Sequence, residues 1–228
     1  MNKHAVFIID CDDVLVDFSS EMYSYIRSNW RKYSRWFSDL GELTPEEIQA
    51  RRFFNMTEWL IQKKYTALTS KQYTTLARLI FSDMEKHFFT TDIYHGSVPT
   101  KFADSTVRNQ AFIESSNVEK VIIISRNITD EQEESKRRFL KKYFDHPKIE
   151  YLMVGRDEKK SDALRRYGIS SVQCFIDDEL VNVNDIATSF DLHEAEIIMP
   201  RYGYNQVDPA LDLLIRGKGG SLTYYDAN

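Results

Sequence analysis

Two cysteines, Cys11 and Cys174, are all that the 228 residues contain. So small a set excludes a disulfide-built fold and suits a reducing compartment, which makes the cytoplasm the expected address. Long apolar runs are missing as well. None approaches the roughly 18 residues of a membrane-crossing helix, so no membrane association is expected. The first residues, MNKH, pass straight into a short apolar run with acids behind it, a pattern unlike a secretory leader. Positive charge is not in excess either. Thirty Lys and Arg face thirty-five Asp and Glu, a formal charge of -5, which disfavours nucleic-acid binding by the surface as a whole. Internal repeats and low-complexity linkers are absent. What remains is 42% hydrophobic and long enough for one sizeable core with a smaller unit inserted or appended.

Five short runs rich in β-branched residues stand out: AVFIID (5–10), VIIIS (121–125), YLMVG (151–155), VQCFID (172–177) and AEIIM (195–199). Separated by helical stretches, such runs read as buried strands of a parallel sheet. Thr129 with Gln132 has the spacing of a capping box, Asp157 can cap the helix EKKSDALRRY, and Gly168 can end it. The predicted fold class is α/β, a Rossmann-like doubly wound core. Residues 18–94 differ, because strand signals vanish there. Met22, Ile26, Trp30, Tyr33 and Phe37 recur at helical spacing up to Gly41, and Thr44, Pro45 and Glu47 form a second helix start. The predicted organisation is an α/β core of residues 1–17 and 95–228 with an all-helical insert at 18–94.

The first strand runs into four acids, Asp10, Asp12, Asp13 and Asp17. Carboxylates repel one another and resist burial, so such a cluster needs a cation or a proton to hold it. In open α/β sheets ligands bind beyond the carboxyl ends of the strands, where the winding reverses. Asp10 and Asp12 stand at such an end, and so do Asp177 and Asp178 in FIDDE. If the two strands are neighbours, four carboxylates meet at one crevice and suit a hard cation such as Mg²⁺. Ser125 ends the second strand and can donate to an anion there. Lys160 begins the helix that precedes FIDD. Acids, a metal, a hydroxyl and an ammonium around one point describe phosphoryl transfer.

In these features the chain resembles the haloacid dehalogenase superfamily, over most of the core. DCDDV resembles its first motif, VIIIS its second, Lys160 in KSDAL its third and FIDDE its fourth. Lys159 is the rival for the third. The resemblance implies that Asp10 attacks phosphorus to form an aspartyl-phosphate, and that Asp12 protonates the leaving alkoxide and then deprotonates water. It implies Mg²⁺ held by Asp10, the Asp12 backbone carbonyl and the Asp177/Asp178 pair, with Asp177 favoured as the direct ligand. Ser125 and Lys160 would hold the non-bridging phosphate oxygens. Arg126 and Asn127 either contact substrate or cap the next helix. Asp13 and Asp17 read as structural, and Cys11 as a small side chain facing the sheet.

The insert occupies the place of that superfamily's C1-type caps, and an enclosing cap implies a small phosphorylated substrate. Residues 18–94 carry eleven basic and nine acidic side chains, a local excess of +2. Arg27, Arg31 and Arg35 follow at four-residue spacing beside Trp30, Tyr33 and Trp36, and could contact a nucleotide or simply form a solvated basic face. RYGYNQ (201–206) could line the crevice mouth or mark a turn. The expected function is a Mg²⁺-dependent phosphatase of small phosphomonoesters, of nucleotide or sugar-phosphate type. Its alternatives are a nucleic-acid end-processing phosphatase, less favoured by the acidic charge, and a non-catalytic binding module on the same fold. Dehalogenation is not expected, since that chemistry needs neither Mg²⁺ nor the second aspartate. The oligomeric state is not legible.

Overall fold

The computed structural model describes residues 5–33, 44–51, 55–64, 68–205 and 208–226. Six strands form one sheet: β1 (Ala5–Asp10), β2 (Val118–Arg126), β3 (Ile149–Val154), β4 (Cys174–Ile176), β5 (Glu196–Arg201) and β6 (Ser221–Asp226). Their order is β3-β2-β1-β4-β5-β6, and every neighbouring pair is parallel. A parallel sheet needs helices on both faces, and the sequence supplies apolar side chains to both. Alternation at period two divides them. Ile9, Val121, Ile123 and Ile176 enter one core, while Ile8, Ile122, Ile124, Phe175 and Ile197 enter the other. The winding reverses between β1 and β4, which opens a crevice beyond their carboxyl ends.

Between β1 and β2 the described residues of 18–94 contain helices and no strand: α1 (Phe18–Ser28), α2 (Pro45–Gln49), α3 (Met56–Lys64) and α4 (Ser70–His87). The short helices α5 (Lys101–Ser105) and α6 (Gln110–Ile113) follow, and then α7 (Asp130–Tyr143), α8 (Lys160–Arg166), α9 (Leu180–Ser189) and α10 (Pro209–Gly217) alternate with the later strands. Their starts are set by local chemistry. Asp17 caps α1 through the Ser20 N–H, and reciprocal capping boxes open α2 (Thr44 with Glu47) and α4 (Thr69 with Gln72). Leu76, Ile80 and Met84 form a fully buried stripe along α4. Truncating one of them to alanine costs about 2–5 kcal/mol. The same apolar cluster runs without a break from this stripe through Phe88 and Phe89 to β1 and β2.

Several expectations are corrected. The helix expected from Met22 to Phe37 ends at Ser28, because the Asn29 side chain bonds the Tyr25 carbonyl and closes the turn. A 3₁₀ turn at Trp30–Tyr33 follows, and Phe37 and Gly41 lie outside the described residues. Asp157 is not the cap of α8. That position belongs to Lys159, which makes no side-chain cap. Gly168 does terminate the helix, at φ +92°. β6 was not expected at all, since SLTYYD carries no apolar run.

Candidate active site

Strand register brings the acids together. Ile9 of β1 pairs with Ile123 of β2 and Ile176 of β4, so Asp10 stands beside Asp177, and Ser125 lies just past Asp10 on β2. Lys160, 2% exposed at the start of α8, points its ammonium between them, 2.7 Å from Asp10 Oδ1 and 2.7 Å from Asp177 Oδ2. The other oxygen of Asp177 accepts the Glu179 N–H at 2.9 Å and Asn182 Nδ2 at 3.1 Å. Asp177 is therefore bonded through both oxygens and lies behind the crevice wall. Asp178 lines the crevice, taking the Tyr204 hydroxyl on Oδ2.

Asp12 is held from two sides. The Tyr94 hydroxyl donates to Oδ1 at 2.7 Å, and Lys136 Nζ donates to Oδ2 at 2.8 Å. Lys136, on α7, is fully buried and donates also to Ser125 Oγ at 2.6 Å and the Arg126 carbonyl at 2.9 Å. Arg126 lines the crevice, with one guanidinium nitrogen 3.4 Å from the Glu158 carbonyl and a buried Nε that has no partner among the described residues. Neither Arg126 nor Asn127 caps α7, since Thr129 does so. Asp13, at φ +56°, accepts the Ser19 N–H at 2.8 Å and the Ser19 hydroxyl, and it meets Arg51 at 3.4 Å.

Burial raises Asp10, Asp13 and Asp178 above the usual carboxylate range. Asp10 is pushed up to about 7, chiefly by burial and partly opposed by Lys160. Asp178 lies well above the carboxylate range, through burial and the charges of Asp13, Asp177 and Asp10. Burial alone would lower Lys160, but Asp10 and Asp177 overcome it and hold the ammonium above its usual range. With all five carboxyls ionised (Asp10, Asp12, Asp13, Asp177 and Asp178), the three cations that touch them (Lys136, Lys160 and Arg51) would leave an excess of two negative charges among the described residues. Glu179 nearby is raised by burial and by the Asp177 charge, with Lys160 and Arg126 in partial opposition. One divalent cation would balance that excess. Oxygens of Asp10, Asp177 and Asp178 lie within 4.8 Å of one another, so the donor set fits a hard, oxygen-bound ion.

The crevice is about 270 Å³. Opposite the strand ends its wall is mainly apolar, with Phe18, Met22, Met56, Phe81 and Phe89, and Asn55, Thr57 and Arg51 supply the polar contacts. Arg51 is buried and stacks on the Tyr204 ring at 4.4 Å. The arginines singled out in the sequence stand elsewhere. Arg27 and Arg31 are exposed, on α1 and in the separate 3₁₀ turn, and neither lines the crevice. Arg35 lies outside the described residues. The loop after β5 does reach the site. Tyr202 donates to the Asp13 carbonyl, and Asn205 Nδ2 to the Asp178 carbonyl at 2.9 Å. Lys136, Tyr94 and Arg51 were not foreseen. For Lys136 a signal existed: it shares the buried face of α7 with Phe139 and Leu140, three and four residues on.

No protein-family model and no curated protein matches the sequence. Solved structures do. A candidate beta-phosphoglucomutase from Thermotoga maritima is 15% identical, with a TM-score of 0.47, over 98% of this chain and 94% of that one. A haloacid dehalogenase-like hydrolase from Xanthomonas campestris is 15% identical, with a TM-score of 0.46, over 95% and 98%. CbbY from Rhodobacter sphaeroides, in complex with phosphate, is 11% identical, with a TM-score of 0.47, over 97% and 93%. Likeness at this level brings no activity or substrate with it.

Proposed function

We propose that the chain is a Mg²⁺-dependent phosphatase of small phosphomonoesters acting through an aspartyl-phosphate on Asp10. One observation carries the reading: a buried acidic cluster whose ionised form would exceed its cations by two negative charges, flanked by the Ser125 hydroxyl and the Lys160 ammonium. The ion would be held by Asp10, Asp178 and the Asp12 backbone carbonyl. Asp178 is preferred to Asp177 because Asp177 is engaged through both oxygens. When bound, Mg²⁺ supplies charge neutralisation and polarisation of phosphoryl oxygens.

The chain's own groups then have defined tasks. An Asp10 oxygen bonds to phosphorus as the bond to the leaving oxygen breaks, and Asp12 gives that oxygen a proton. In the second half Asp12 takes a proton from water, whose oxygen bonds to phosphorus and releases Asp10 and inorganic phosphate. Ser125, Arg126 and Lys160 offset charge on the non-bridging oxygens. Residues 18–94 serve as a cap on a core of 1–17 and 95–228, and the apolar wall with Arg51 selects the leaving group. The test is a phosphoester panel (sugar phosphates, mononucleotides and phosphorylated oligonucleotides) with Mg²⁺ and with a chelator. Chelator-sensitive hydrolysis of small esters is expected. Hydrolysis of oligonucleotides alone, falling steeply with salt, would favour end processing instead.

A further inference from the structure

We infer that Lys136 is the positioning residue of the proton-transfer group, fixing Asp12 and Ser125 in one register through a single buried ammonium. The inference rests on the phosphatase reading above, and it concerns a residue that no motif of the sequence singles out.

The geometry carries it. An ammonium has three N–H donors, and Lys136 commits all three, to Asp12 Oδ2 at 2.8 Å, Ser125 Oγ at 2.6 Å and the Arg126 carbonyl at 2.9 Å. It has no exposed surface, so water takes no share of these bonds. Its stem runs from α7, whose buried face (Gln132, Ser135, Phe139 and Leu140) is packed into the molecule, so the ammonium cannot wander. Lys136 lies outside the Lys160 pair of Asp10 and Asp177, so the two lysines serve different carboxylates.

Two consequences follow for chemistry. An ionised carboxylate offers about four lone-pair sites. Lys136 takes one on Oδ2 and Tyr94 one on Oδ1. Each oxygen keeps a free direction for the proton that Asp12 gives to the leaving oxygen and later takes from water, while rotation of the carboxyl is blocked. The Ser125 oxygen, accepting from Lys136, turns its own hydrogen away from the ammonium and presents it to a phosphate oxygen. Proton transfer and phosphate binding are thus aligned by one side chain that touches neither substrate nor product. Alignment of this kind matters most where the leaving oxygen must receive a proton as its bond to phosphorus breaks.

The experiment compares two esters, an alkyl phosphate and 2,4-dinitrophenyl phosphate, whose acidic phenol departs without a proton. Wild type, Lys136→Met, Lys136→Gln and Asp12→Asn are measured alone, and each lysine variant is also combined with Asp12→Asn. Lys136→Met should lower kcat for the alkyl ester on the order of 10²-fold, within the range of general acid catalysis, with KM changed far less. For the dinitrophenyl ester the loss in the step that forms the aspartyl-phosphate, read as burst amplitude and rate, should stay below about threefold. In the Asp12→Asn background the lysine substitution should add no more than the roughly threefold share carried through Ser125, since the larger share acts through that aspartate. Lys136→Gln keeps length and a donor, and it supplies the same readout if the methionine variant does not fold. Equal losses on both esters, or losses that multiply in the double variant, would overturn the positioning role while leaving the phosphatase reading intact. A wild-type protein inert on both esters would overturn that reading, and this inference with it.

Discussion

The two walls of the crevice are built on opposite plans. On the strand-end wall Asp10, Asp12 and Ser125, with Asp177 behind them, are each tied to a buried lysine. On the wall supplied by residues 18–94 the contacts are mainly Phe and Met, with Asn55, Thr57 and Arg51 among them. Side chains with several fixed partners keep one geometry, which is what reacting groups require. An apolar wall imposes shape and excludes water but has little say in bond breaking. Chemistry on this reading belongs to the first wall and selection to the second.

The largest effect should come from the first wall. Asp10→Asn should abolish turnover on every ester, because a neutral amide is a poor nucleophile. Asp12→Asn should cost roughly 10²–10⁴-fold, the share of proton transfer. Measurable multiple turnover by Asp10→Asn, with deamidation excluded by mass spectrometry, would erase the distinction between the walls.

A second effect separates two adjacent carboxylates. Asp177→Asn leaves Lys160 with one partner instead of two and should lower stability by about 1–3 kcal/mol. Asp178→Asn replaces a carboxyl whose burial already favours the neutral form, so the metal-free melt should change little, while the gain on adding Mg²⁺ should disappear. Thermal melts with Mg²⁺ and with chelator decide it. A Mg²⁺ gain lost on Asp177→Asn but kept on Asp178→Asn would restore Asp177 as the direct ligand.

The fold was legible where burial is two-sided and therefore continuous in sequence. The runs at 5–10 and 121–125 could hardly be read otherwise. β6 hid because an edge strand needs only partial cover, and Ser221–Asp226 alternates exposed and half-buried residues. The candidate site was legible where one strand end and its loop carry its side chains, as with Asp10 and Asp12 or with Asp177 and Asp178. It was not legible where a long side chain arrives from a distant element. Lys136 lies in ESKRRFLKK among five other basic and acidic residues, and charge alone does not say which of them is buried. Arg51 reaches Asp13 across 38 residues with no pattern between them. The spacing of Arg27, Arg31 and Arg35 suggested a common helix face, but α1 stops before Arg31.

A third effect links the acidic wall to pH. With its carboxyl pushed up to about 7 in the folded state and near 3.8 when unfolded, Asp10 binds its proton more tightly in the native protein. Its contribution to stability is therefore present in full below about 3.8 and is lost as pH rises through 7. The loss is on the order of a few kcal/mol. Mg²⁺ requires ionised ligands, so it should stabilise the protein more at pH 8 than at pH 5. Denaturant melts at both pH values, with and without Mg²⁺, should show the metal flattening the slope, and Asp10→Asn should lack this component. An identical slope in Asp10→Asn would assign the pH dependence to other groups.

The smallest effect tests the second wall. Gly203, in the loop after β5, lies so close to residues 50 and 51 that an added Cβ would stand 2.3 Å from the Ala50 carbonyl oxygen and 2.5 Å from that of Arg51. Both are backbone atoms, and neither can turn aside as a side-chain tip could. Gly203→Ala must therefore push apart the segment that carries Arg51 and the loop that carries Tyr204, on which the guanidinium stacks. Overpacking of this kind costs about 1–3 kcal/mol. If selection resides in the insert, Gly203→Ala and Arg51→Met should each shift the ranking of small esters by about tenfold. Hydrolysis of an activated aryl phosphate should change by less than about threefold, because the lysine-tied groups are untouched. Steady-state kcat/KM across four or five esters measures the ranking directly. A uniform loss on all of them would show that the insert sets the geometry of the reacting groups, and the division between the two walls would have to be withdrawn.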